Sequence, residues 1–187
     1  VFGHDRPASL KALLRAHGFT PSLPEDDPGA VLVLDLDEAP PRLLAPVRAD
    51  VRPLDRESLH HVARIEAAVY GRDFSWLEGR LATHLAIPGY LSVFAAHVGG
   101  TPVAAAWTYF YPNSQFAILR GGATLPPYRR QGLYVALLAA RAQQALARGT
   151  RYLIVDAGPE SRRILEQHGF ALLTTAEPFL WEPTATS

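Results

Sequence analysis

Tyr128-Arg129-Arg130-Gln131-Gly132-Leu133-Tyr134 stands between a predicted strand and a predicted helix. Upstream, residues 115–124 form an apolar run with β-branched and aromatic members, and Pro126 and Pro127 stop it. Downstream, helical spacing continues to Arg148, with Gly149 where a C-terminal cap belongs. Tyr152-Leu153-Ile154-Val155 then reads as a short buried strand. A turn that enters a helix aims several backbone N–H groups at one point, and the helix dipole adds partial positive charge there. Arg129 and Arg130 place full positive charge beside it, and Gly132 lets another group approach the backbone closely. This is a device for holding a phosphorylated ligand. Taken without its context, the same turn also reads as an ordinary strand-to-helix connection with two solvated arginines.

The context carries a resemblance. Arg129-x-x-Gly132, behind Pro126-Pro127-Tyr128, resembles the acyl-CoA signature Gln/Arg-x-x-Gly-x-Gly/Ala of the GNAT acyltransferase superfamily. Ile164-Leu165-Glu166-Gln167-His168-Gly169-Phe170 resembles that family's closing helix, which usually ends in Gly-Phe. The resemblance covers roughly residues 51–182. It implies an α/β fold of mixed type, the GNAT acyl-CoA N-acyltransferase fold: a mixed, mostly antiparallel central sheet with helices on both faces. It implies acetyl-CoA as co-substrate, no metal, and transfer of an acetyl group to a primary amine. The amides of Arg129, Arg130, Gln131, Gly132, Leu133 and Tyr134 would take the pyrophosphate, and the backbone of Ala123 and Thr124 the pantetheine arm. Tyr134 departs from the signature, which has Gly or Ala there. A side chain at that position can point away while its amide still donates, so binding is expected to survive.

Composition sets the outer bounds. The chain has 187 residues, enough for one well-buried domain with an appendage. With 48% hydrophobic residues and a formal net charge of +0, it reads as a soluble globular protein of the cytoplasm. Neutral charge argues against nucleic acid as partner, because phosphate backbones call for a basic surface. No apolar run is long enough for a bilayer, and no signal segment opens the chain. There is no cysteine, which excludes disulfides, thiolate nucleophiles and Cys-based zinc sites. There is also no methionine, so an initiator segment is expected ahead of Val1. The expected partner is a small-molecule or peptide amine acceptor, without nucleic acid or membrane; a homodimer is left open.

In chain order, residues 9–17 have helical spacing ending at Gly18, residues 19–23 suit a short strand, residues 24–29 are turn chemistry, and residues 31–36 are a strand. Leu13-Leu14-Arg15-Ala16-His17-Gly18-Phe19 parallels Ile164-Leu165-Glu166-Gln167-His168-Gly169-Phe170. Residues 1–46 are therefore expected to be the closing part of a second, partial GNAT-like unit plus a Pro-containing linker, and residues 47–187 the main domain. In that domain residues 50–52 open a strand, and Asp55 caps a helix with Leu59, Val62, Ile65 and Val69 on one face. Gly71 to Phe74 break it, and Ser75 with Glu78 form a capping-box pattern for a second helix to about Ala86. Residues 91–98 and 103–111 are strands joined across Gly99-Gly100, and residues 179–181 a last strand.

The acid and base are the least legible part. An amine acceptor must lose its proton before attack, and a general base assists. Many GNAT members use as acid a Tyr four residues before the Gly of Gly-Phe; here that residue is Leu165. Gly158 stands where Asn is frequent and Ser161 where Ala is frequent. Ser161 would donate near the sulfur or, on the favoured reading, cap the helix. Asp73, in the break between two helices, is a candidate base, with a turn role as the plainer reading. His84 is a weaker candidate. Tyr109, Tyr111, Phe74 and Trp76 would line an acceptor pocket or simply pack in the core. His60-His61 is no metal pair, because adjacent helical residues diverge. Two alternatives remain: a non-catalytic acyl-CoA binding or sensing module, and a nucleotide-phosphate enzyme. The second lacks both the Gly-Lys-Ser/Thr ending of a P-loop and a Gly-x-Gly-x-x-Gly.

Overall fold

The computed structural model describes residues 1–23 and 28–182. Most of the turn expected at residues 24–29 lies outside the described residues. The chain divides into two compact units, a central one over Leu34–Ile154 and a terminal one made of Val1–Val33 and the chain from Val155 onward. Each is described by itself.

In the central unit, β3 (Asp50–Pro53), β4 (Leu91–Val98), β5 (Thr101–Phe110) and β6 (Phe116–Thr124) are neighbours in that order; β7 (Tyr152–Ala157), next to β6, begins in this unit and ends in the terminal one. The first four pair antiparallel throughout. Gly99 and Gly100 turn β4 into β5 with φ of 57° and 80°, the left-handed pair that a two-residue hairpin turn requires. α3 (His60–Tyr70) and α4 (Ser75–Leu85) share one core with β4 to β6: Val62, Ile65, Leu77, Leu81, Tyr109 and Ala123 are buried there. Each fully buried aliphatic side chain contributes about 1.5–3 kcal/mol. α5 (Leu133–Ala147) sends Leu133 and Leu137 into a second core with Val103, Ala104 and Ala106. From Ala104 to Trp107 the residues of β5 alternate between the two cores, as a strand's period of two dictates, and Val103 joins the second core at the register shift between β4 and β5.

Three expectations are corrected here. The Pro-containing linker holds a short helix, α2 (Pro41–Leu44), because Pro41 suits a first helical position and Leu43 is fully buried. Gln143 of α5 donates to the Ala45 carbonyl at 2.8 Å and fixes that turn. Asp55 accepts from the Ser58 amide at 3.0 Å, but the turn it caps is the 3-10 turn Arg56–Ser58 that leads into α3. Ser75 is not a capping-box residue. It donates through its amide (2.8 Å) and hydroxyl (3.0 Å) to Asp73, so the acid two residues back satisfies the helix start.

In the terminal unit, α1 (Leu10–Ala16) leads into β1 (Phe19–Pro21), and α6 (Pro159–Gln167) leads into β8 (Ala171–Ala176). β1 pairs antiparallel with β9 (Phe179–Trp181), and β2 (Gly29–Asp35) pairs antiparallel with β8. β8 is a strand the sequence reading passed over. Its Leu172 and Leu173 are exposed, so its residues lack the burial pattern that marks a strand.

Candidate functional site

The last part of β6 is irregular. Ala105 and Ala106 of β5 face Ala123 and Gly121, which leaves Gly122 as the extra residue of a bulge. Gly121 and Gly122 have φ of 69° and 103°. A Cβ at Gly121 would stand 2.4 Å from the Trp107 ring, and one at Gly122 would stand 2.8 Å from the Tyr134 ring. Glycine is therefore required twice, by the backbone and by two aromatic rings. After β6, the 3-10 turn Pro126–Tyr128 leads to Arg129 with extended backbone. Arg130 then has φ 60°, and Gly132 at the N-cap of α5 has φ 78°. Two left-handed residues within three positions bend the backbone immediately before a 15-residue helix, and the first amides of a helix have no partner within it.

The expected binding residues come together in this one place. Arg129, Arg130, Gln131 and Gly132 are exposed, Thr124 and Tyr134 half-buried, Ala123 and Leu133 buried. Arg129 Nε donates to the Thr124 carbonyl at 3.3 Å, and Gln131 Nε2 to the Pro127 carbonyl at 3.3 Å. Arg130 makes no hydrogen bond or ion pair among the described residues. Among the described residues, nothing lies within 4 Å of a Cβ placed on Gly132, so the space over the loop is open. The Leu133 side chain belongs to the α5 core, which leaves its amide as the part available to a ligand.

Tyr134 turns its ring onto Gly122 at the bulge. Burial pushes its phenol above the ordinary range, opposed by the field of Arg141 and reinforced by Tyr70. Arg141 is 2% exposed, and its guanidinium donates to the Leu137 carbonyl at 3.1 Å and to the Arg120 carbonyl of β6 at 3.3 Å. Burial lowers it to about 10.

The acid–base candidates are dispersed. Asp73 is held by the Ser75 amide and hydroxyl, and these bonds lower its carboxyl below the usual range. Ser161 is not the cap of α6; that residue is Gly158, and the Ser161 hydroxyl donates to the Gly158 carbonyl at 3.1 Å. Leu165 is fully buried. His84 Nδ1 and the Tyr109 hydroxyl lie 3.0 Å apart, and Tyr90, Tyr109 and Tyr111 form a chain of aromatic contacts. Phe74 and Trp76 stack at 6.0 Å between centroids, with Arg72 over Phe74 at 4.9 Å.

One acid escaped sequence reasoning. Glu66 of α3 is 3% exposed, and its Oε1 has no hydrogen-bond partner among the described residues. Burial raises its carboxyl to about 7, against the field of Arg72. The signal was present: Glu66 lies four residues after Val62 and three before Val69, inside the apolar stripe of the helix.

Among the described residues, no group of three or more His, Asp or Glu is arranged to hold a metal. Among the described residues, no helix is long and apolar enough to cross a membrane. A separate cavity of about 320 Å³ lies in the terminal unit, lined among others by Leu23, Ala30, Asp156 and Glu177.

Comparison with known proteins places this geometry. The model of the family described as acetyltransferase (GNAT) matches residues 57–170, more than half of the chain. The chain belongs to the GNAT acetyltransferase family, whose members are acyltransferases. Among solved structures it is similar to a GCN5-related N-acetyltransferase from Kribbella flavida, at 20% identity and a TM-score of 0.65, over 92% of this chain and 63% of that one. The chain thus spans less than two thirds of that protein's length. An aminoglycoside N-acetyltransferase solved in complex with CoA matches at 19% identity and 0.57, over 74% of this chain and 96% of that one. The ribosomal-protein-S18-alanine N-acetyltransferase from Escherichia coli matches at 24% identity and 0.56, over 65% of this chain and 76% of that one. These likenesses establish the shared mixed α/β fold, a large and mostly antiparallel sheet flanked by helices. No curated protein matches the sequence.

Proposed function

We propose that this protein transfers an acetyl group from acetyl-CoA to a primary amine. The observation that carries the reading is the loop from Arg129 to Tyr134. It joins two left-handed residues, an open space over Gly132, an Arg130 that has no partner among the described residues, and the N-terminus of α5. A diphosphate brings negative charge and acceptor oxygens, which is what exposed amides and a guanidinium at a helix start accept. The loop amides take the pyrophosphate, and the backbone of Ala123 and Thr124 pairs with the pantetheine arm. The bulge at Gly121 and Gly122 turns backbone donors toward the thioester, where they hold the charge that develops on its oxygen. The CoA complex of the aminoglycoside enzyme supports the donor, and the names of that enzyme and the ribosomal-protein enzyme support an amine acceptor.

The test is release of free CoA thiol from acetyl-CoA in the presence of a panel of primary amines, from amino sugars to peptides with free N-termini. Amine-dependent release supports the reading. Tight acetyl-CoA binding with no release across the panel would make the protein an acyl-CoA binding module instead.

Residues 1–46 are read as the closing part of a second GNAT-like unit with its linker, and residues 47–187 as the transferase domain. Two helix endings support this. His17 and His168 have φ, ψ of −101°, 18° and −103°, 18°. Each places its Nδ1 on the carbonyl four residues back, at 2.8 and 2.7 Å. Gly18 and Gly169 follow with φ of 82° and 92°. Deletion of residues 1–45 should lower the melting temperature; an unchanged value would make the segment a loose tail.

A further inference from the structure

We propose that Glu66 is the proton acceptor for the incoming amine: its carboxylate takes one proton from the acceptor's ammonium group and leaves the neutral amine to attack the thioester. The inference rests on the acetyl-transfer reading above and adds to it the identity of the base.

Placement is the first argument. Glu66 is buried on α3 beside Ile65 and one turn after Val62, and both of those side chains belong to a core that includes residues of β6. On β6 the bulge at Gly122 carries the Tyr134 ring and is the segment where the thioester carbonyl is read to sit. α3 shares its core with Ala123, the residue after the bulge.

Chemistry is the second. A buried carboxyl with an unpartnered oxygen is costly to keep, and a functional role is one explanation for such a group. Burial raises it to about 7, with Arg72 in the α3–α4 connection as the opposing charge. α4, β5 and β6 supply Leu77, Leu81, Ala105, Tyr109 and Ala123 to the core shared with α3, so Tyr109 is the titratable group among them, and burial keeps its phenol neutral. A base whose pKa lies near the working pH combines availability with strength. Asp73 fails on that count, because two bonds from Ser75 hold it well ionised and weakly basic.

The step balances. The ammonium and the Glu66 carboxylate become an amine and a carboxylic acid. The amine nitrogen then bonds to the acetyl carbon, the carbon–sulfur bond breaks, and the proton left on nitrogen passes through solvent to the CoA thiolate. Glu66 returns its own proton to solvent, and the products are the N-acetyl amine and CoA thiol.

The experiment is the pH profile of kcat/KM for wild type, Glu66→Gln, Glu66→Asp and Asp73→Asn between pH 5 and 9, with acetyl-CoA affinity measured by calorimetry on each. Wild type should rise through a limb near pH 7. Glu66→Gln should lose turnover by about a hundredfold to ten-thousandfold, lack the limb, and keep wild-type acetyl-CoA affinity. Glu66→Asp should recover part of the activity and the limb, and Asp73→Asn should keep both. An intact limb or wild-type turnover in Glu66→Gln would overturn the assignment alone. Wild-type protein that binds acetyl-CoA but turns over no amine would overturn the acetyl-transfer reading and this proposal with it.

Discussion

Gly132→Ala separates what the loop does for folding from what it does for a ligand. Gly132 has φ 78°, where a Cβ costs roughly 1–2 kcal/mol. Nothing lies within 4 Å of the added carbon, so no steric term joins that strain. The far end of α5 supplies a matched control: Gly149 has φ 72° and is equally open. Both variants should therefore lose about 1–2 kcal/mol, a fall in melting temperature of roughly 2–8 °C for a chain of this size. They should differ only in CoA binding. At Gly132 the new methyl occupies the space read as the pyrophosphate site and blocks a charge-assisted hydrogen bond worth about 1.5–3 kcal/mol. That is about a tenfold to hundredfold loss of affinity, whereas Gly149→Ala should bind CoA as wild type does. Thermal melts and titration calorimetry on the three proteins decide. Equal CoA affinity in the two variants would refute the assignment of the loop.

Arg130→Glu reverses a charge at a residue that already bears a Cβ at φ 60°, so it should leave the melt unchanged and weaken CoA about tenfold to hundredfold, while pantetheine without phosphates binds as before. Leu165→Ala opens a cavity at a fully buried site and should cost about 2–5 kcal/mol by chemical denaturation, yet remove no acid limb from the pH–rate profile. Burial raises Glu66 from 4.5 to about 7, so the folded state holds that proton more tightly than the unfolded chain does. The stability this confers is full below about pH 4.5 and is lost as the pH rises through 7, a fall of about 3 kcal/mol at 1.36 kcal/mol per unit. Glu66→Gln should remove that decline from urea-derived stabilities measured between pH 4 and 8, and an unchanged decline would place it in another group.

Much of the fold was legible because the signals were local. Gly99-Gly100 announces its hairpin through the two positive φ values it must supply, and Gly149 closes α5 for the same reason. The turn at Arg129–Gly132 was readable from a strand, a glycine and a helix in sequence. What was missed depends on partners distant in the chain. α2 exists because Leu43 finds a burial site and Gln143 a carbonyl, and neither is visible in a Pro-rich stretch. β8 is held by its pairing with β2 rather than by an apolar pattern. The bulge needs the register of β5 against β6, which no single strand reveals. Ser75 and Glu78 matched a capping box, but Asp73 competes for the same donor and wins with a charged acceptor. Glu66 sits at a core position of its helix, and a glutamate there reads as solvated until the packing around it is known.

The loop from Arg129 to Tyr134 is read as the seat of the acetyl-CoA diphosphate, and a crystal structure of the acetyl-CoA complex would show whether it is. Pyrophosphate oxygens should lie within about 3 Å of the loop amides between Arg130 and Tyr134, with the Arg130 guanidinium turned onto them and the pantetheine arm along Ala123 and Thr124. A diphosphate bound elsewhere on the chain, with the amides around Gly132 facing only solvent, would contradict it.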